Sequence, residues 1–345
     1  RMKIKVGIIG GSGYTGIELL RILHQHPDAE VHAITSRALE GKKISEVFPN
    51  MHGISELTYL LPDDKTLFNC DIVFFATPHG VAMNNAALFL EKNIKVVDLG
   101  ADFRINDASV WSDWYKMEHT QESLLKEAVY GQPEINREAI KEARLVANPG
   151  CYPTAVLLAL KPLLQNKLIE TSNIIADCKS GTSGAGRIAN QATLFCEVTE
   201  SFKPYGVSGH RHFPEIKQEL ESISGSPIGL TFTPHLLPMS RGIEATIYVD
   251  LIDSQVDILA YFENAYENEE FVKILPEGVY PETRSVKSSN YCQISVQYVE
   301  HSNKLVIMSV IDNLGKGAAG QAIQNMNLMF GLSEQEGLKQ IGLLP

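Results

Sequence analysis

The sequence predicts an α/β protein of two domains: an N-terminal doubly wound parallel sheet, then an α+β domain built on a mixed sheet. Three observations predict it. Over the first ~150 residues short β-rich runs alternate with helical stretches, as βαβ units require. A glycine-spaced turn joins the first β-rich run to the first helical one. From Asn148 onward the strands lengthen and alternate in polarity, the pattern of a sheet with helices on one face. A length of 345 residues gives each domain room for its own core. The expected limits are 1–149 and 150–312, followed by a C-terminal piece, 313–345.

Taken in order, Lys5–Ile9 is an apolar strand, and Gly16–His26 has helical spacing through Ile17, Leu20 and Leu23. Val31–Thr35 and Asp71–Ala76 are the next strands, followed by a helix around Val81–Leu90 and a strand at Ile94–Leu99. Val146-Ala147 ends a strand, and Ala155–Leu164 is a helical run. Second-domain strands are expected at Asn173–Cys178, Ile228–Phe232, Ile243–Leu251, Cys292–Val299 and Leu305–Ile311. A glycine-rich turn after Asp312 opens a last helix over Ala318–Phe330. Tyr261, Phe262 and Tyr266, at helical spacing, read as core.

Composition bounds the function. With 30 Lys+Arg against 41 Asp+Glu, the formal charge is −11, which argues against a nucleic-acid partner and against an anionic membrane surface. No apolar run approaches the ~18 residues that a membrane helix needs. The first strand begins at once after Arg1-Met2, so no apolar leader is expected. Five cysteines (Cys70, Cys151, Cys178, Cys196, Cys292) form no CxxC pair, so neither a disulfide framework nor a metal site is expected, and a reducing cytoplasm is the expected setting. Cys70, Cys178, Cys196 and Cys292 sit in or beside apolar runs and read as core.

The turn Gly7-Ile8-Ile9-Gly10-Gly11-Ser12-Gly13-Tyr14-Thr15-Gly16 follows a buried strand and precedes a helix. Glycines there let the backbone approach a pyrophosphate, and the helix start offers free N–H groups to the anion. A Rossmann-like dinucleotide site is the reading, with Gly10, Ser12, Gly13, Tyr14, Thr15 and Gly16 around the phosphates. An NAD site usually carries an acid at the tip of the second strand. Here the tip runs into Ser36-Arg37, and a hydroxyl with a guanidinium suits a 2′-phosphate, so NADP(H) is preferred.

The run Asn148-Pro149-Gly150-Cys151-Tyr152-Pro153-Thr154 ends a strand and begins a helix. Pro153 falls where a first-turn proline is tolerated, which places Cys151 at the helix N-terminus. That position favours thiolate over thiol and makes Cys151 a nucleophile for a carbonyl or an acyl phosphate. His210 and His212, two apart in His210-Arg211-His212, project to one side of an extended segment and open an amphipathic helix. Either can serve as the base. Because the chain is net negative, an anionic substrate needs local cations, and Arg104, Arg187, Arg211 and Arg241 are the candidates. The Ser180–Gly186 segment, with Ser180, Gly181, Ser183 and Gly184, offers hydroxyls and backbone N–H groups to a phosphate or an oxyanion.

These residues carry a resemblance. Val146–Leu158 resembles the active-site signature of the N-acetyl-gamma-glutamyl-phosphate reductase family, bacterial single-enzyme type. So do the glycine turn, Ala76-Thr77-Pro78-His79-Gly80, Asp98–Arg104, Tyr130-Gly131, Ser180–Arg187 and Gly209–His212. The likeness runs from residue 3 to about 330. It implies NADPH-dependent reduction of N-acetyl-L-glutamyl 5-phosphate to N-acetyl-L-glutamate 5-semialdehyde and inorganic phosphate, in arginine biosynthesis, through a thioester on Cys151. It also implies cofactor contacts from Ala76, Thr77, Pro78, Ser183, Gly184 and Asn313. Substrate contacts are implied from Arg104, Ser180, Gly181, Arg211 and Arg241, and a C-terminal helix returning to the cofactor domain.

Three other readings compete. Aspartate-semialdehyde dehydrogenase shares the layout and the thiol chemistry, but Pro-Gly-Cys-Tyr-Pro-Thr fits it poorly. A homologous reductase of lysine biosynthesis would take a longer acyl phosphate. A non-catalytic NADP sensor would not depend on Cys151. A strand-rich second domain needs a cover for one sheet face, so a homodimer or homotetramer is expected.

Overall fold

Strand β1 (Ile4–Ile9) is buried from Val6 onward and runs straight into the glycine turn. The structure is a computed structural model that describes residues 2–344, and these fall into two units. One holds the chain up to Pro149 together with Ala318–Leu338; the other holds Gly150–Gly317 and the chain from Lys339 on.

After β1 the first unit continues with α1 (Tyr14–His24), β2 (Ala29–Ile34), α2 (Ile44–Val47), β3 (Ile72–Phe75), α3 (Val81–Leu90) and β4 (Lys95–Asp98). Then come α4 (Ala108–Tyr115), α5 (Glu122–Glu127), β5 (Val129–Tyr130), α6 (Pro133–Glu142) and β6 (Leu145–Ala147). Every strand pairing is parallel, in the order β2-β1-β3-β4-β6-β5. β3 is wholly apolar and wholly buried, as a strand covered on both faces must be. Phe75, Phe89 and Trp111 pack in the core on one side of the sheet. Helix α3 starts at Gly80 without a side-chain cap of its own. Asp102 supplies it from a distance, accepting from the N–H groups of Gly80 (2.7 Å) and Met83 (2.9 Å).

The second unit comprises α7 (Cys151–Gln165), β7 (Ile174–Ser180), α8 (Phe195–Val198), β8 (Lys203–Pro204), α9 (His212–Ser224), β9 (Leu230–Leu236) and β10 (Ile243–Val249). It ends with α10 (Ile258–Tyr266), β11 (Val272–Ile274), β12 (Cys292–Val299) and β13 (Lys304–Ile311). Its mixed sheet has the order β11-β12-β13-β10-β7-β9-β8. β7 pairs with β9, and β11 with β12, in parallel; the remaining pairs are antiparallel. The central strand β10 shows the two-residue period: Ile243, Ala245, Ile247 and Val249 are buried, whereas Glu244, Thr246 and Tyr248 are half-exposed. Helix α7 is buried from Tyr152 to Leu164 and packs on α9, β10 and β13. A last helix, α11 (Gly320–Met329), follows one π-helical turn at Gly315–Ala319 and packs on α6 and α1 of the first unit.

Several expectations are corrected. β9 continues past Phe232 through Pro234 to Leu236, because the proline lies beside the two-residue edge strand β8, where few ladder bonds are at stake. Cys196, expected in the core, is exposed on the short helix α8. Of the aromatic trio on α10, Phe262 and Tyr266 are buried, but Tyr261 lies on the outer side of the helix and is 36% exposed. Strands β5, β8 and β11, of two or three residues, carry too little pattern to be read from sequence. The C-terminal piece is divided between the units rather than corrected as a whole: residues 318–338 belong to the first, and 313–317 and 339–344 to the second. Among the described residues no helix is long and apolar enough to cross a membrane.

Candidate active site

Three segments stand at the carboxyl ends of adjacent parallel strands: Ser36-Arg37 after β2, the glycine turn after β1, and Ala76-Thr77-Pro78 after β3. Strand order reverses at β1, and open α/β sheets take ligands at such a point. Gly10 has φ +84°, and a Cβ there would come within 2.5 Å of the Ala76 carbonyl oxygen. At Gly16 a Cβ would lie 2.6 Å from Gly11 Cα, so the turn and the start of α1 pack backbone to backbone. Gly13, the N-cap of α1, is different: nothing stands within 4 Å of where its Cβ would be. Tyr14 and Thr15 form the first turn of α1, with Tyr14 exposed.

A cavity of about 320 Å³ opens here, lined by Gly10, Ser12, Ser36, Arg37, Thr77 and Pro78 on one side. Leu67, Phe68 and Leu88 give it an apolar wall. The Ser36 hydroxyl donates to Ser12 Oγ (3.1 Å), and Arg37 is exposed. Thr77 Oγ1 is buried with no hydrogen-bond partner, which a ligand oxygen or N–H would satisfy. An anion-ready helix start, an apolar slot and an unsatisfied hydroxyl on one cavity fit a dinucleotide.

In the second unit α7 starts at Cys151 itself, with Gly150 as an extended N-cap and no side-chain cap. Peptide dipoles there favour an anionic sulfur. The Gly150 N–H donates to Glu215 Oε1 (2.8 Å), and Glu215 is 1% exposed. His212 is the first residue of α9, and its ring lies directly on Gly150: a Cβ at position 150 would be 2.5 Å from His212 Nε2. Gly317 is pressed on the cysteine in the same way, a Cβ there falling 2.9 Å from Cys151 Cβ. Glycines 150 and 317 are therefore what allow an imidazole and a main chain to close on Cys151.

His210 is placed differently. Its Nδ1 accepts the His212 backbone N–H (3.1 Å), which leaves the ring proton of the neutral form on Nε2. Burial, then the Arg211 charge, lowers its pKa to about 4, so it is neutral at physiological pH. Its ring stands edge-on to Tyr152 (5.7 Å between centroids) and close to Tyr205 (5.5 Å). The two phenol oxygens are 3.0 Å apart, and burial pushes Tyr205 up to about 12 and raises Tyr152 as well. Both phenols thus stay protonated.

The loop after β7 and the loop before β10 are laced together. Thr182 N–H donates to the Met239 carbonyl (2.8 Å), and Ser183 N–H to that of Ser240 (3.0 Å). At Gly181 a Cβ would sit 2.9 Å from Arg241 N. Asn313 bridges them, accepting from Gly242 N–H (2.8 Å) and donating to Ser183 Oγ (2.9 Å). The Ser180 hydroxyl donates to the Gly181 carbonyl (2.9 Å) and would lie 2.9 Å from a Cβ at Gly184. Arg241 makes a fork with Asp312.

Of the residues expected from sequence, the second unit thus gathers Cys151, His210 and His212 in one cluster, and Ser180, Gly181, Ser183, Gly184, Arg241 and Asn313 in another. Arg211 and Arg187 are exposed, Arg211 capping α9. Arg104 lies in the first unit, 8% exposed, donating to the carbonyls of Asn148 (2.8 Å) and Leu99 (2.8 Å). Its cation holds main chain together and is not offered outward. Sequence reasoning missed Glu215, Tyr205 and Asp312. Glu215 had a signal, since it lies three residues after His212 on the same helix face.

Comparison with known proteins identifies the family. Residues 5–143 match the semialdehyde dehydrogenase, NAD binding domain family, and residues 151–313 the semialdehyde dehydrogenase, dimerisation domain family. An N-acetyl-gamma-glutamyl-phosphate reductase from Vesicomyosocius okutanii is 60% identical over 99% of this chain and 100% of its own. Those of Ectopseudomonas mendocina and Laribacter hongkongensis are 56% and 55% identical over the same shares. Among solved structures, aspartate semialdehyde dehydrogenase II of Vibrio cholerae, complexed with ASA, has the same fold, with a TM-score of 0.74 at 18% identity over 96% of this chain and 99% of that one. That of Candida albicans with NADP gives 0.71 at 16% identity, over 95% and 98%. With a full-length relative at 60% identity, the chain belongs to the N-acetyl-gamma-glutamyl-phosphate reductase family.

Proposed function

We propose that this protein reduces N-acetyl-L-glutamyl 5-phosphate to N-acetyl-L-glutamate 5-semialdehyde with NADPH, releasing inorganic phosphate, in the reducing cytoplasm of an arginine-making cell. One observation carries the proposal: in a chain of this family, a cysteine opens a helix with an imidazole seated on the residue before it. His212 takes the thiol proton, and Cys151 Sγ attacks the acyl carbon. The C–O bond to phosphate breaks, and a thioester remains on the sulfur. NADPH, held by the glycine turn, Ser36 and Arg37 when bound, would supply the hydride that this carbonyl carbon takes. The resulting oxyanion is stabilised by N–H donors at the start of α7, because the N–H groups of Gly181, Thr182, Ser183 and Gly184, expected from sequence to serve an anion, are already spent on the carbonyls of Gly242, Met239, Ser240 and Gly181. It collapses to the aldehyde and frees the thiolate, which regains its proton from His212. His210, with Nδ1 already accepting the His212 backbone N–H, holds the main chain of its neighbour and leaves the proton transfer to His212. Arg241 and Arg211, with the Ser180–Gly181 turn that packs on the Arg241 main chain, would hold substrate anions, and Ser183, Gly184 and Asn313 would line the nicotinamide site. The carrying experiment is mass spectrometry of the protein with acyl phosphate and no NADPH: a mass increase on the Cys151 peptide supports the reading, and an unmodified Cys151 overturns it.

Ser12, Ser36 and Arg37 hold the 2′-phosphate in this reading. Arg37→Met is expected to raise the KM for NADPH about 10–100-fold while leaving NADH turnover within about twofold, since a charged hydrogen-bond pair of this kind is worth that much. Equal losses with both cofactors would refute the assignment.

The match to a dimerisation domain supports an oligomer, and we propose a homodimer or homotetramer that covers the open face of the second sheet. That face carries Lys179, 3.3 Å from Asp177 and 3.4 Å from Glu244, beside Ile175, Thr246 and Tyr248. Light scattering is expected to give at least twice the 38.1 kDa chain mass. A monomer at micromolar concentration would refute the proposal.

A further inference from the structure

Asp312 closes β13 and is fully buried, and its carboxylate gathers donors from three separate stretches of chain. Arg241 Nε donates to Oδ2 (2.8 Å) and Nη2 to Oδ1 (3.0 Å). Ser288 N–H donates to Oδ2 (2.6 Å), and the N–H groups of Leu314 (2.8 Å) and Gly315 (2.9 Å) to Oδ1. Five donors on one carboxylate leave it a single orientation. The Arg241 side chain, 18% exposed, therefore reaches the loop edge as a guanidinium whose plane and height are set from behind. A lone surface arginine would instead sample many rotamers and lose that freedom on binding. We infer that Asp312 is a positioning residue that orients Arg241 for the carboxylate of the substrate.

The inference rests on the proposed substrate and on Arg241 as its anchor, so the test separates the two. The reaction is run in reverse, with phosphate and NADP, on two aldehydes: N-acetylglutamate 5-semialdehyde and 4-acetamidobutanal, the same molecule without its carboxylate. The readout is the ratio of their kcat/KM values, which a merely structural defect would not move. Asp312→Asn is expected to lower that ratio about 10–100-fold, chiefly through KM for the carboxylated aldehyde. Turnover of 4-acetamidobutanal should stay within about threefold. Arg241→Met should collapse the ratio to the same level, and the double variant should go no lower. If Asp312→Asn lowers both substrates equally, or leaves the ratio intact while Arg241→Met collapses it, the inference is overturned. If Arg241→Met leaves the ratio intact, the anchor itself is wrong and both ideas fall. Should Asp312→Asn not fold, Arg241→Lys decides: it keeps the charge but cannot make the fork, so loss of the ratio supports positioning and its retention overturns it.

Discussion

Cys151→Ser is expected to abolish phosphate-dependent aldehyde oxidation, by about 10⁴-fold or more, with NADP binding unchanged. The reason lies in the position as much as in the element. A serine hydroxyl at the first residue of α7 meets the same dipole and the same His212 ring, but its pKa is too high for that environment to produce a useful oxyanion. The acyl adduct should vanish along with turnover. A variant that kept even a hundredth of the wild-type rate would mean the sulfur is not the attacking atom, and the non-catalytic sensor reading would return. Cofactor binding, followed by the quenching of intrinsic fluorescence on NADPH addition, is the control that the fold is intact.

The second large effect separates the two histidines. His212→Asn is expected to lower kcat/KM about 10²–10⁴-fold, the range for loss of a general acid–base group. His210→Asn should cost about tenfold or less, because that ring orients the His212 main chain and does not carry the proton. The pH profile gives an independent reading. His210, lowered to about 4, stays neutral between pH 5 and 8, so an ionisation seen in kcat/KM over that range is not its own. The sign for stability follows from the same shift. A histidine whose folded pKa is depressed contributes stability above its unfolded pKa of ~6.5, and that contribution drains away as pH falls toward 4. His210→Asn should flatten this acid limb of a thermal-unfolding series. If the two variants exchanged their kinetic effects, the proton would move through His210.

Much of the site was legible in the primary structure because local rules produced it. The glycine turn had to lie at the strand–helix junction, since Gly10 takes a left-handed φ that other residues resist. Cys151 was expected to open a helix, because Pro153 is favoured in a first turn and costly further in, although α7 does carry a second proline, Pro162, in its interior. The choice between His210 and His212 was not legible. Their two-residue spacing puts them on one side, but which ring nitrogen is already engaged depends on how the His210–His212 turn closes. Arg104 and Arg241 looked alike as local cations. Yet one is buried against the carbonyls of Leu99 and Asn148, and the other is braced by Asp312, 71 residues further along.

What the chain order alone determined was the α/β class, the glycine turn at the first strand–helix junction, the cysteine at a helix start and the family, the first three of which follow from periodicity and from backbone rules acting over a few residues. What only the tertiary structure decided was which polar groups remain available for chemistry. A buried cation or imidazole must first satisfy its own hydrogen bonds, and the partners that do so for Arg104, His210 and Arg241 come from contacts that no short window of sequence encodes.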